Sequence, residues 1–572
     1  MKLVIYQVFT RTFGNKNSNR KPNGTLAENG VGKMNDFDVA TLQQIKSLGV
    51  NTIWYTGVIR HATCTDYSAF GIPRQTPRVV KGKAGSPYAI TDYYDIDPDI
   101  ADNVAERMSE FEDLVKRTHK EGLKVIIDFV PNHVAREYKS ICKPKGVKDL
   151  GETDDTGKHF DANNNFYYCP NESLDTSAIP LPNGIEADNS NEMVAEYAET
   201  VARCTGNDRF DAHPQANDWY ETVKLNYGID YCDWGGRSTH FEPIPDTWHK
   251  MTDILLFWAA KGVDGFRCDM AEMVPHEFWK YATEKVKAQY PHIVFIGEVY
   301  DPNQYRTYVA AGFDYLYDKV GMYDCLRNVM CGHRSASNIS QQWQATDDIR
   351  EHILYFLENH DEQRIASDFF AEDARKALPA VTIAATIGRN PFMLYFAQEL
   401  GERGMDAEGF SGKDGRTTIF DYWSLDKMQR RINDGRYDTT MLSEEERLLL
   451  ESYTRLLHDV CTLPSVIQGN FYDLGYANQN NPYFRPNREF AFLRHTTDEI
   501  LLVAANFAPH EAEIRVIIPE HAFQTMQIKD NAAFLLTDML SGENSIGCLT
   551  QYAPYPLHLP AYGYALHRFR PL

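Results

Sequence analysis

The chain has 572 residues, 43% of them apolar and 24% charged, an ordinary composition for a large globular protein of roughly two to four domains. Its formal net charge of −22 excludes bulk electrostatic attraction to nucleic acid or anionic membranes, both of which need clustered Lys and Arg. No stretch of 18 or more consecutive apolar residues predicts a membrane span, and the opening MKLVIYQVF lacks the layout of a signal peptide, so a cytoplasmic location is expected.

In chain order, candidate strands run over Leu3 to Phe9, Asn51 to Val58, Lys124 to Val130, Gly265 to Met270, Ile293 to Tyr300, Phe313 to Asp318, Ile353 to Glu358 and Pro391 to Phe396. Helical patterns lie between and after them, at Val104 to Glu121, Trp248 to Lys261, His276 to Tyr290, Ala374 to Ile387 and Glu444 to Thr462. That alternation predicts parallel strands with crossover helices, and eight strands fit a closed barrel, although periodicity alone does not separate a barrel from an open sheet. After His133 about a hundred residues rich in Asp, Asn, Gly and Pro precede the next helix, too many for a loop, so they should form a lobe. The polar stretch from Phe396 to about Asp438 should line the barrel mouth. Beyond about Leu463 short alternating runs predict an antiparallel β-sandwich: Phe490 to Arg494, Ile500 to Asn506, Glu513 to Ile518, Ala533 to Leu536 and Tyr562 to Arg568.

Ten cysteines are spread along the chain. Cys268 is wedged between Arg267 and Asp269 on a presumed strand, and Cys142, Cys169, Cys204 and Cys232 lack the paired spacing of a zinc ribbon, so most are expected to be free thiols.

Four acidic motifs end four of the strands: DFVPNH at Asp128 to His133, GFRCDM at Gly265 to Met270, FIGEVY at Phe295 to Tyr300, and LENHD at Leu357 to Asp361. Strand ends that all carry carboxylates predict one shared pocket. Cleaving a sugar acetal needs a carboxylic acid to protonate the leaving oxygen and a carboxylate to attack or to activate water, through a cationic transition state. Asp269 and Glu298 are the natural pair, with Asp361 favouring the developing positive charge. Arg267, two residues before Asp269, should share its strand face and keep it ionised, while Asp128 should pair with Arg267 from the neighbouring strand. Glu298 inside an apolar strand would be costly to bury without a function. His133 and His360 are placed to hydrogen-bond sugar hydroxyls.

With these motifs in order over about 230 residues, the chain resembles the α-amylase family, glycoside hydrolase family 13. The resemblance implies a (β/α)8 TIM barrel at residues 1–133 and 241–465, an inserted domain B at 134–240, and a C-terminal antiparallel β-sandwich, domain C, at 466–572. It implies Asp269 as nucleophile, Glu298 as general acid/base, Asp361 as transition-state stabiliser and Arg267 as the nucleophile's partner. His133 and His360 match substrate-binding histidines, and Tyr88, in Pro87 to Asp92, matches a tyrosine that stacks under the cleaved sugar. Asn132 matches a position that often supplies a calcium ligand; a structural calcium is therefore weighed, although the chemistry itself requires no cofactor. Val223 to Asn226 is similar to a further motif whose Lys-Leu-Asn ending occurs in neopullulanases and cyclomaltodextrinases, and Ala561 to Tyr564 resembles the close of domain C. One departure stands out: where many members carry Lys-His after the nucleophile, this chain has Glu272 and Met273, making the acceptor side unusual. The expected activity is retaining hydrolysis of α-1,4 bonds in maltodextrins, starch or glycogen. The alternatives are a 4-α-glucanotransferase or maltosyltransferase using the same residues and, more remotely, a non-catalytic glucan-binding protein.

Overall fold

Eight short strands, apolar on both faces, close into a ring. The computed structural model describes residues 2–180 and 197–572. In chain order the ring strands are β1 (Val4–Phe9), β2 (Thr52–Thr56), β3 (Lys124–Phe129), β4 (Gly265–Cys268), β5 (Val294–Gly297), β6 (Tyr315–Tyr317), β7 (Ile353–Phe356) and β8 (Phe392–Tyr395). Each is parallel to its neighbours, and β8 pairs with β1 to complete the barrel. All eight strands anticipated from the sequence are present. Their ends lie two or three residues inside the expected ones on the carboxyl side of β4, β5 and β7, so that the motif carboxylates begin where pairing stops.

The alternation of side chains decides what faces the barrel axis. Ile5, Trp54, Ile126, Ile296, Leu354 and Met393 pack together inside the ring, whereas Val4, Tyr6, Val8, Val125, Ile127 and Phe266 join the larger core beneath the surrounding helices. Because side chains in a strand alternate with period two, Asp128 follows Ile126 inward, Glu298 follows Ile296 inward, and Arg267 with Asp269 takes the face opposite Phe266. The register sets Arg267 directly beside Asp128 on one side and Ile296 on the other.

Helices Val39–Ser47, Arg107–Lys120, Asp246–Ala260, His276–Gln289 and Ala377–Thr386 cover the outside. The pattern expected to be helical from Val104 opens as a 3-10 turn at Val104–Glu106, with Asn103 accepting from Ala105 N–H, before the α-helix starts. The helix from Glu444 begins at a Ser443–Glu446 capping box and ends in a π turn, Arg455–Val460. Between β3 and helix Asp246–Ala260 the chain leaves the barrel. His133–Ala135 pairs with Thr222–Lys224, and Tyr168–Cys169 with Ala202–Arg203, each as a two-stranded antiparallel ladder.

The last hundred residues form a six-stranded antiparallel sheet: β9 (Asn470–Asp473), β10 (Glu489–His495), β11 (Ile500–Asn506), β14 (Tyr564–Pro571), β12 (Ala532–Asp538) and β13 (Asn544–Leu549), in that spatial order. A second ladder, Ala512–Val516 with Tyr555–Leu559, closes a separate apolar core over it, which includes Ile514, Val516, Leu557, Phe534 and Phe569. The Tyr555–Leu559 strand of the second ladder was not expected, nor were strands β9 and β13. Both are sheet edges, and β13 is exposed along most of its length, so it lacks the apolar alternation that marks a covered strand. All ten cysteines are unpaired; the sulfurs of Cys169 and Cys204 approach to 4.0 Å.

Candidate active site

Arg267 is the hub of the barrel mouth. Its side chain is wholly buried, and its guanidinium carbon lies 5.3, 5.4 and 5.6 Å from the ring centres of Trp54, Tyr88 and Tyr317. One terminal nitrogen donates to Asp269 Oδ1 at 2.7 Å and the other meets Glu298 Oε2 at 2.7 Å. Asp361 Oδ2 lies at 3.9 Å and Asp128 Oδ1 at 4.0 Å. One guanidinium therefore gathers four carboxylates from the ends of β3, β4, β5 and β7.

Glu298 is further held by the Tyr300 hydroxyl, which donates to Oε1 at 2.6 Å, and by the Met270 N–H, which donates to Oε2 at 2.8 Å. Met270 delivers that N–H by adopting a left-handed backbone, φ 42°, unusual for a bulky residue and held by its surroundings at the end of β4. Glu272 accepts from the N–H groups of Tyr300 and Asp301, both at 3.0 Å, so the position where the family often has Lys anchors the segment after Glu298.

Burial and like charge make Asp128, Asp269 and Asp361 harder to ionise, and Arg267 opposes that shift. Desolvation, reinforced by Glu298 and Asp361, pushes Asp269 well above the usual carboxylate range against the pull of Arg267. Desolvation and the Glu298 charge push Asp361 up to about 7, although its side chain keeps 37% exposure. Burial raises Asp128 to about 6, against the pull of Arg267 and of the Gly57 N–H that donates to it at 3.0 Å.

Both histidines are neutral. Burial, with Lys224 and Lys81 nearby, pushes His133 down to about 3, and burial beside Arg267 holds His360 well below its ordinary value. The Gln7 amide nitrogen donates to His360 Nδ1 at 2.9 Å, which puts the ring hydrogen on Nε2, facing the Tyr88 hydroxyl at 2.5 Å and Asp361 at 3.1 Å. Tyr88 stacks on His360, ring centres 5.2 Å apart, and its hydroxyl reaches Asp128 at 3.3 Å.

Asn132 tests the calcium expectation. Its side-chain oxygen accepts from the ammonium of buried Lys224, which also pairs with Asp208 at 2.6 Å, and its amide nitrogen donates to the Gly206 carbonyl at 2.8 Å. The Lys224 ammonium thus already engages the Asn132 oxygen that a calcium ion would need, so Asn132 as placed does not fit that metal.

A cavity of about 320 Å³ opens over the carboxylates. Tyr88, His133, Asp269, Glu298 and Asp361 line it, while Arg267, His360 and Asn132 lie behind the wall. Sequence reasoning missed Lys81, Trp219, Glu221, Ile419 and Phe420, which also line it. They stand on loops without motif spacing; the one available signal was the polar stretch after β8, from which Ile419 and Phe420 come.

The model of the α-amylase catalytic domain matches residues 7–194 and 243–435. The chain is 26% identical over 409 residues to the α-amylase MalA of Haloarcula japonica, an alignment covering 70% of this chain and 44% of that protein. It is 24% identical over 324 residues to the human amino acid transporter heavy chain SLC3A1, covering 57% of this chain and 35% of that one. The chain thus spans less than half the length of either relative. The solved structure of the Geobacillus thermoleovorans α-amylase complexed with acarbose superposes with a TM-score of 0.63 at 19% identity, covering 99% of this chain and 98% of that one, a likeness of fold. A relative named as a transporter chain shows that likeness to this family does not by itself decide activity. Barrel, motifs and matched residues together establish that the chain belongs to the α-amylase family.

Proposed function

We propose that the protein is a retaining glycoside hydrolase that cleaves α-1,4-glucosidic bonds of maltodextrins, starch or glycogen. The observation that carries this reading is the shared guanidinium: Asp269 and Glu298 each lie 2.7 Å from a nitrogen of Arg267, and so stand close together at the floor of one cavity. Close carboxylates suit a double displacement, whereas an inverting enzyme keeps them wider apart to hold a water between them.

In the first step Asp269 attacks the anomeric carbon while Glu298 gives its proton to the departing oxygen, so the glycosidic bond breaks as the ester forms. Arg267 stabilises Asp269 as the carboxylate required for attack. The Tyr300 hydroxyl, free to rotate, can accept from protonated Glu298 or donate to its anion, serving both states. Asp361 lies beside the developing oxocarbenium charge, and the Tyr88 ring offers an apolar face to the sugar. In the second step water attacks the anomeric carbon, Glu298 takes its proton, the bond from that carbon to the Asp269 oxygen breaks, and the sugar leaves with its original anomeric configuration.

The test follows products from maltoheptaose by chromatography, with Asp269→Asn as control. The wild type should yield only shorter sugars, and the variant should lose about 10⁴-fold or more in rate while keeping its fold. Products longer than seven glucoses would replace hydrolysis by transfer, and no reaction from the wild type would reject the α-1,4-glucan assignment.

A further inference from the structure

Part of the cavity wall is built from loops that touch one another. In the ring, β1 lies between β2 and β8, so the loops leaving β2 and β8 meet above β1, opposite β4 and β5 with their reacting carboxylates. Over β1 these loops are in backbone contact. Ala84 N–H donates to the Phe420 carbonyl at 3.0 Å, and a Cβ built on Gly82 would come within 2.1 Å of the same oxygen. Arg11, buried just beyond β1, donates to the carbonyls of Ala84 at 2.9 Å, Gly85 at 2.8 Å and Ile419, tying both loops to the barrel. A third piece closes the corner. The Lys81 ammonium pairs with the nearly buried Glu221 carboxylate at 2.9 Å and sits 5.0 Å from the centre of the Tyr220 ring, joining the β2 loop to the segment inserted after β3.

The acid protonates the oxygen of the bond that breaks, so the leaving chain lies on the Glu298 side, and the far end of the bound sugar points across the ring. In a 1,4-linked glucan that far end carries the bond to the preceding residue. Here it would meet Lys81 and Phe420, in a cavity of about 320 Å³, near the low end of the 300–1,000 Å³ typical of ligand pockets. We infer that the cavity is a dead end that accepts only the terminal, non-reducing sugar, so that the enzyme works inward from chain ends, with the Lys81–Glu221 ion pair as a specificity-determining part of its closed wall. This inference rests on the α-glucan reading.

The experiment compares a chromogenic maltoheptaoside with a free non-reducing end against the same compound capped there by a benzylidene group. The free compound should be cut and the capped one slowed by about 100-fold or more, as expected when a terminus cannot seat. Equal rates would overturn the dead end while leaving the α-glucan reading intact, whereas no cleavage of either would overturn both. The double variant Lys81→Ala/Glu221→Ala should raise the capped-to-free rate ratio about tenfold by removing the barrier against the longer ligand. An unchanged ratio would remove the ion pair from the wall.

Discussion

At the scale of single residues the site is an imbalance of charge built around Arg267. Removing the arginine would leave buried carboxylates without a partner, at a cost of about 3–5 kcal/mol, whereas removing one carboxylate relieves repulsion. Asp269 is raised in the folded state, so its ionisation is harder there than in the unfolded chain. For a carboxylate shifted this way the penalty is absent below the unfolded value, about 3.9, and grows as pH rises through the folded one. Asp361, raised to about 7, adds a penalty of the same sign. Thermal melts of Asp269→Asn should therefore lie above the wild type at pH 8, with the gap narrowing as pH falls towards about 4. A less stable variant at pH 8 would mean that the Arg267–Asp269 pair outweighs the repulsion. The carboxylates were legible in the sequence because each ends an apolar run at the phase that points inward; Lys81 and Phe420 were not, since their position depends on how two loops meet.

At the scale of elements, the eight strands were readable because burial on both faces leaves an unbroken apolar run. Edge strand β13 was hidden because exposure along most of its length erases that signal. At Asn132 the resemblance and the local contacts point to different partners. The motif suggested a metal, but the ladder joining His133–Ala135 to Thr222–Lys224 brings an ammonium to the same oxygen. Lys224→Met should lower stability by about 3 kcal/mol or more, since it strands Asp208 and Asn132. Chelation of calcium should leave the melting temperature of the wild type unchanged. A drop on adding chelator, restored by calcium, would return the metal to this site.

At the scale of the whole molecule, the C-terminal sheet is fastened to the barrel by Arg494 on β10. Its guanidinium donates to the carbonyls of Ile387, Ser465, Val466 and Gly469 at 2.6–3.2 Å, and burial together with Arg389 and Arg350 lowers it to about 9. Arg494→Ala would leave these carbonyls unpaired, each costing about 1–3 kcal/mol unless water replaces the donor. Denaturant melts should show a loss of at least that size; a shift under about 0.5 kcal/mol, the range of ordinary surface substitutions, would mean that the apolar contacts alone hold the sheet in place.

The central claim is that close carboxylates on one guanidinium carry out a double displacement. Proton NMR of the first sugar released from maltoheptaose, recorded before the anomers equilibrate, tests it most directly. Retention predicts that the α-anomer appears first and the β-anomer grows in later; initial release of the β-anomer would contradict the assignment of Asp269 as nucleophile.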